Sequence, residues 1–272
     1  MSGGHGLSLN TATVRDAWTL EQCIEGCKRH GIAAIAPWRD RLHEMGVRKA
    51  AQNIRASGLT VTGLCRGGMF PAKDAAGRKA AIDDNLRAIE EAAEIGSPTL
   101  VMVCGGLPKD SKDLKGARDM VRDGLVAVLP QAREAGVTLA LEPLHPMTCA
   151  DRSVLSTLAQ ALDLCDELGA GVGVIVDVYH VWWDPEVEKQ IARAGSRILG
   201  FHACDWLVPT TDLVFDRGMP GDGVIDVAHL RRCVEQAGYR GAIEFEILSH
   251  RWWARDPDEV LAICKDRYLR FC

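Results

Sequence analysis

Residues 137–180 read VTLALEPLHPMTCADRSVLSTLAQALDLCDELGAGVGVIVDVYH. Two short apolar runs, 137–144 and 172–180, flank a stretch with helical spacing. Each run is rich in Val, Leu, Ile or Ala and short, as parallel strands buried on both faces are. The spacing between them predicts a helix over 151–170, with Asp151 as N-cap and Gly169 past its end. Strand, helix and strand in this order form the unit of a parallel α/β fold.

Working outward, the unit repeats. Further apolar runs lie at 6–11 (GLSLNT), 32–38 (IAAIAPW), 59–65 (LTVTGLC), 99–105 (TLVMVCG), 198–205 (ILGFHACD) and 242–248 (AIEFEIL). Residues 78–96 predict a helix stopped by Gly96, and residues 226–239 one capped by Asp226 with Gly238 beyond its last turn. Eight runs, with no composition break or Pro/Ser-rich linker, predict an α/β fold: a single (β/α)8 TIM barrel, one domain over residues 1–272. An open doubly wound sheet would usually carry a glycine-rich phosphate turn after its first strand, and GLSLNTATV has none.

Composition narrows the function. Apolar residues at 47% and charged ones at 25% exclude general disorder. No apolar run reaches the 18 or so residues of a membrane span, and MSGGHGLSLN has neither the basic nor the apolar region of a leader. The net charge of −5 argues against a nucleic-acid partner. The ten cysteines are irregularly spaced and include no Cys-x-x-Cys pair, so they read as small buried side chains of a cytoplasmic protein.

In a (β/α)8 barrel the active site sits at the C-terminal ends of the strands. Four successive late strands deliver Glu142, Asp177, His202 and Glu246 there. In the last of them Ile243, Phe245 and Ile247 face the helices while Glu244 and Glu246 face the barrel interior. Three inward carboxylates repel one another without a positive charge, and a divalent metal supplies one. Three carboxylates and an imidazole suit Mn²⁺, with Mg²⁺, Co²⁺ or Zn²⁺ as alternatives. Glu244, one layer deeper, is expected to pair with a buried Arg or Lys. His145, His180, Arg217, Arg66 and Trp182 are the candidate substrate-binding residues. Six tryptophans, Trp38, Trp182, Trp183, Trp206, Trp252 and Trp253, fall just beyond strand ends, where indoles suit sugar C–H faces. Two or three of them are expected to line the pocket.

At these residues the chain resembles the xylose isomerase-like TIM barrels, in the sugar phosphate isomerase/epimerase group with the ketose 3-epimerases and the inosose isomerase and dehydratase proteins. The resemblance spans essentially the whole chain. It rests on Glu142, Asp177, His202 and Glu246, on Asp177-Val178-Tyr179-His180, and on Arg217 ahead of Pro220-Gly221-Asp222-Gly223 with Asp226 following. It implies that these four residues hold one dication, that Glu142 and Glu246 are the catalytic acid/base pair, and that the protein is a homodimer. The tryptophan pairs and Cys204-Asp205-Trp206 depart from the familiar epimerases.

Such a site makes a carbon acid of a sugar. A metal on a carbonyl and a neighbouring hydroxyl acidifies the adjacent C–H, and a carboxylate takes the proton to leave an enediolate. Return of a proton to the opposite face gives an epimer, and return to the neighbouring carbon gives an aldose–ketose isomer. The expected function is therefore a metal-dependent keto-sugar isomerase or epimerase with a small carbohydrate as its partner. The alternative is a lyase acting on a keto-cyclitol or a 3-keto-glycoside, with His145 or His180 as acid. An abasic-DNA nuclease of the same fold would need more histidines and a basic groove.

Overall fold

The computed structural model describes residues 6–272; residues 1–5, the start of the stretch read above for a leader, lie outside the described residues. The alternation in residues 243–247 fixes how the last barrel strand sits. Ile243, Phe245 and Ile247 are buried in the main core beneath the helices, and Glu244 and Glu246 turn inward.

The strands are β1 (Leu7–Asn10), β2 (Ala34–Ala36), β3 (Thr60–Val61), β4 (Leu64–Gly68), β5 (Thr99–Val103), β6 (Thr138–Leu141), β7 (Val172–Asp177), β8 (Ile198–Ala203), a small hairpin of β9 (Asp205–Trp206) and β10 (Arg217–Gly218), and β11 (Ile243–Phe245). All barrel pairings are parallel, and their order is β3-β2-β1-β11-β8-β7-β6-β5-β4. β3 and β4 are two halves of the run predicted at 59–65, parted by Thr62 and Gly63. Thr62 N–H donates to Ile35 O at 3.1 Å and Cys65 N–H to Pro37 O at 3.0 Å, which closes the ring. The molecule is a (β/α)8 TIM barrel. No helix among the described residues is long and apolar enough to cross a membrane.

Helices α1 (Leu20–His30), α2 (Arg39–Met45), α3 (Val47–Ser57), α4 (Ala75–Glu94), α5 (Leu114–Glu134), α6 (Leu158–Leu168), α7 (Val178–Val181), α8 (Val187–Ala194), α9 (Val227–Gln236), α10 (His250–Trp253) and α11 (Pro257–Phe271) cover the sheet. Asp226 caps α9 as its sequence predicts, accepting from His229 N–H at 2.8 Å. The helix predicted from Asp151 starts later: Thr157 is the cap of α6, accepting from Gln160 N–H. Residues 151–156 are instead tied to the barrel rim, since Ser153 bridges Gly105 and Val154 N–H donates to Gly105 O at 2.9 Å. Backbone pairing with the rim replaces the first helical turns.

One buried side chain holds the end of β4. Asn85 of α4 accepts from Gly68 N–H at 2.6 Å and donates to Gly68 O at 2.7 Å. Gly68 sits at φ +105, where an added Cβ would stand 2.0 Å from Val103 O, so a glycine is required. Asn85→Leu orphans both backbone groups in a buried place and should cost about 2–4 kcal/mol by the usual price of unmade buried hydrogen bonds. Urea unfolding measures it; a loss under about 1 kcal/mol would mean the two groups find other partners.

Candidate metal centre at the barrel mouth

Each strand end contributes by register. His202 lies level with Asp177 on β7 and with Glu244 on β11. Glu142 follows β6 and keeps its ladder, donating its N–H to Met102 O at 3.2 Å. Glu246 follows β11 with the inward parity of Glu244. One ligand atom each of Glu142, Asp177, His202 and Glu246 lies within 4.8 Å of the other three, and all four residues are buried. The structure thus brings together the four residues singled out in the sequence.

The surroundings orient them. Arg217, buried on β10, places Nη1 3.0 Å from both Asp177 Oδ2 and Glu246 Oε2. Asp177 Oδ1 accepts from Tyr179 N–H at 2.8 Å. Asn10, at the end of β1, donates from Nδ2 to Glu246 Oε1 at 3.1 Å and to Glu244 Oε1 at 2.7 Å, and its Oδ1 accepts from Trp38 Nε1–H at 2.8 Å. Two atoms are left over. Glu142 Oε1 and His202 Nδ1 are 3.0 Å apart, yet each is buried with no hydrogen-bond partner of acceptable geometry. An anionic oxygen and an imidazole nitrogen left so close together without a partner both suit a cation held among the four residues. The residues present therefore fit a dication with three oxygen donors and one nitrogen donor.

Electrostatics agree. Burial pushes the Glu142 carboxyl up to about 7, against the pull of His202 and with a further push from Glu246 and Asp177. Burial alone would lower His202, but Glu244, Glu142 and Glu246 together hold it well above its ordinary value. Without a metal the site keeps protons as its counter-charges. The thiols beside it are held protonated: Cys65 by burial and then by Glu246 and Glu142, and Cys204 by burial against the opposing charge of Arg217. That leaves oxygen and nitrogen as the donors. Because metal binding favours the deprotonated ligands, and both Glu142 and His202 hold a proton below about pH 7 in the metal-free site, loading should expel about two protons, and affinity should weaken about a hundredfold per unit as pH falls below about 7. Calorimetry in buffers of different ionisation enthalpy reads both; an affinity flat from pH 6 to 8 would contradict the proton inventory.

The other candidates divide. Glu244 has no Arg or Lys partner, contrary to expectation: Asn10 and the Thr62 hydroxyl (2.8 Å) donate to it, and His202 Nε2 lies 3.4 Å away. Neutral donors suffice because the His202 ring carries the positive charge. His180 is buried between the His145 N–H, 3.1 Å from Nδ1, and Arg217 Nη2, 3.1 Å from Nε2. A neutral imidazole has one acceptor, so one of these contacts is a hydrogen bond and the other only packing. Burial pushes His180 down to about 3. His145 stacks on Trp206 at 4.8 Å. Trp182, half-buried, lies 5.7 Å from the Trp206 ring, with its indole N–H unpaired. Trp38 and Arg66 line a cavity of about 370 Å³ beside the cluster. Trp252 and Trp253 belong to α10; Trp253 packs in a buried group with Ala12 and Leu248 and donates to Ala12 O at 2.7 Å.

Asn10 escaped the sequence reading. Its signal was there: it shares inward parity with Ser8 at the end of the first apolar run. A second group able to hold a metal, Glu188, His229 and Cys233, lies on α8 and α9 away from the barrel mouth, and its residues are exposed or half-exposed.

Comparison with known proteins follows the same lines. Residues 24–266 match the family model described as xylose isomerase-like TIM barrel. An inosose isomerase of Bacillus velezensis is 24% identical over 96% of this chain and 94% of its own. The crystal structure of protein SMc04130 from Sinorhizobium meliloti 1021 superposes with TM-score 0.97 at 57% identity, covering 98% of both chains. The IOLI protein, whose crystal structure has a bound zinc atom, superposes with TM-score 0.81 at 20% identity over 97% of this chain and 96% of that one.

Proposed function

The chain belongs to the xylose isomerase-like TIM barrel family, and on that premise we propose that it is a divalent-metal-dependent isomerase or epimerase of a keto-sugar or related polyol. One observation carries the reading: one ligand atom from each of four buried side chains lies within 4.8 Å of the other three, and two polar atoms among them have no hydrogen-bond partner. The inosose isomerase relative supports the reaction class.

Glu142, Asp177, His202 and Glu246 would hold the metal, with Mn²⁺ favoured by the three oxygen donors and Zn²⁺ accommodated as in the IOLI protein. When bound, the ion polarises a substrate carbonyl and acidifies the neighbouring C–H. Glu142 and Glu246 are the proton-transfer pair: one carboxylate takes the proton from carbon, the other returns one to the resulting enediolate. Arg217 and Asn10 hold the Glu246 carboxylate through both oxygens, so its orientation is set before substrate arrives. Glu142 gives one oxygen to the metal and keeps the other for the substrate proton. His180 backs Arg217; His145, Trp182 and Arg66 stand around the mouth as substrate contacts. Nothing in the geometry favours elimination, since His180 stays neutral and has no free acidic proton to give. The ten thiols, none of them in a disulfide, support work in the cytoplasm as one barrel domain.

The test is solvent exchange. EDTA-treated and metal-restored protein are incubated with a panel of ketoses and keto-cyclitols in D₂O. Deuterium should enter a substrate carbon only with metal restored. Metal-independent exchange, or loss of water from the product, would overturn the reading.

A further inference from the structure

Helix α9 sets a histidine and a cysteine one turn apart. Asp226 fixes the start of the helix by accepting the His229 N–H at 2.8 Å, so His229 lies in its first turn and Cys233 follows on the same face at i+4. The Cys233 sulfur is 3.7 Å from His229 Nε2. From the neighbouring α8, Glu188 brings Oε1 to 2.9 Å from the same nitrogen. The three ligand atoms all lie within 4.8 Å of one another.

The ordinary surface pairs of this molecule are built differently. His30 and His43 also face acids, but those acids, Asp258 and Glu91, each hold an arginine as well. Glu188 pairs with His229 and with no lysine or arginine among the described residues. A neutral imidazole has one Nε2–H, which can serve the Glu188 carboxylate or the Cys233 sulfur but not both. A cation among the three atoms serves all of them. Tetrahedral zinc, with bonds of about 2.0–2.3 Å, holds its ligand atoms about 3.3–3.6 Å apart. The separations of 2.9 and 3.7 Å lie close to that on either side, and the exposed Glu188 side chain has room to swing the remainder.

The donor set chooses the ion. A thiolate and an imidazole favour Zn²⁺ over Mn²⁺ and Mg²⁺, which prefer oxygen. The barrel mouth, with three oxygens to one nitrogen, has the opposite bias. Three protein donors leave the fourth tetrahedral position to water.

We propose that Glu188, His229 and Cys233 form a second metal site, selective for Zn²⁺, on the outside of the barrel. On binding, the Cys233 thiol proton passes to solvent and the imidazole keeps its one proton on Nδ1. The ion ties α8 to α9. These helices follow β7 and β8, the strands that carry Asp177 and His202, so the tie lies behind two of the mouth residues. The site stands whatever the mouth binds.

Cobalt reads it selectively. Co²⁺ accepts the same tetrahedral donors, and a thiolate ligand gives it a charge-transfer band in the near ultraviolet. The mouth offers oxygen and nitrogen only, so the band reports the outer site alone. Reduced protein equilibrated with excess Mn²⁺ is titrated with Co²⁺. The band should rise despite the manganese, and Zn²⁺ should then erase it. Cys233→Ser and His229→Gln should each abolish the band at the cobalt concentration that saturates the native protein. Glu188→Gln, at an exposed position that leaves the packing alone, should weaken cobalt binding at least about tenfold, since even partners outside the ligand set are worth that much. Four results would each overturn the site: no band in excess Co²⁺, a band that persists in Cys233→Ser, a band untouched by both His229→Gln and Glu188→Gln, or a band that Zn²⁺ cannot erase.

Discussion

Glu246→Gln should lower kcat by about 10³-fold or more on whichever ketose shows solvent exchange, while the protein stays folded and retains metal. Glutamine matches glutamate in shape, so Asn10 Nδ2 keeps an acceptor where it now has Glu246 Oε1 at 3.1 Å. The amide takes no proton from carbon at neutral pH, and positioned proton transfer contributes typically 10²–10⁴-fold. It also removes one negative donor and turns its N–H₂ toward Arg217. Glu142→Gln should cost a similar factor, for the partner half of the same transfer. The double variant should fall less than about tenfold below the worse single, because residues that act as a unit are not additive. Metal content measured on each variant separates lost chemistry from lost loading. A Glu246→Gln enzyme that keeps a tenth of its turnover at full metal occupancy would remove Glu246 from the proton-transfer pair.

The second large effect is on stability. Metal at about 1,000 times its dissociation constant should stabilise the protein by about 4 kcal/mol, by mass action. For a chain of this length that raises Tm by about 8 °C. His202→Ala should abolish the shift and also weaken the metal-free protein by about 3 kcal/mol or more. In the metal-free state the ring sits 3.0 Å from Glu142 Oε1 and 3.4 Å from Glu244 Oε1, and its removal leaves buried carboxylates facing one another. Differential scanning calorimetry with and without Mn²⁺ measures both. An unchanged metal-induced shift in His202→Ala would place the ion elsewhere.

The barrel was legible because its signals are local. Val, Ile and Leu runs mark the strands, and the alternation of Glu244 and Glu246 with Ile243, Phe245 and Ile247 sets which face is inside. The four converging residues followed from one rule, that polar residues at strand ends of such a barrel meet. Other features are set by contacts that no short window contains. The helix expected from Asp151 begins after Thr157 because the intervening residues pair with Gly105, far away in the chain. The third strand breaks at Thr62 and Gly63 because Thr62 turns inward to Glu244. Glu244 looked as if it needed a cationic side chain, but the imidazolium above it and two neutral donors serve instead.

Crystals soaked with Mn²⁺ and measured at an anomalous wavelength test the centre of this account most directly. One strong peak is expected at the barrel mouth, about 2.0–2.2 Å from a single donor atom of each of Glu142, Asp177, His202 and Glu246, with Arg217 still bonded to the outer oxygens of Asp177 and Glu246. Density for the four side chains with no peak among them, or a peak held only by Glu188, His229 and Cys233 on the outer helices, would contradict it.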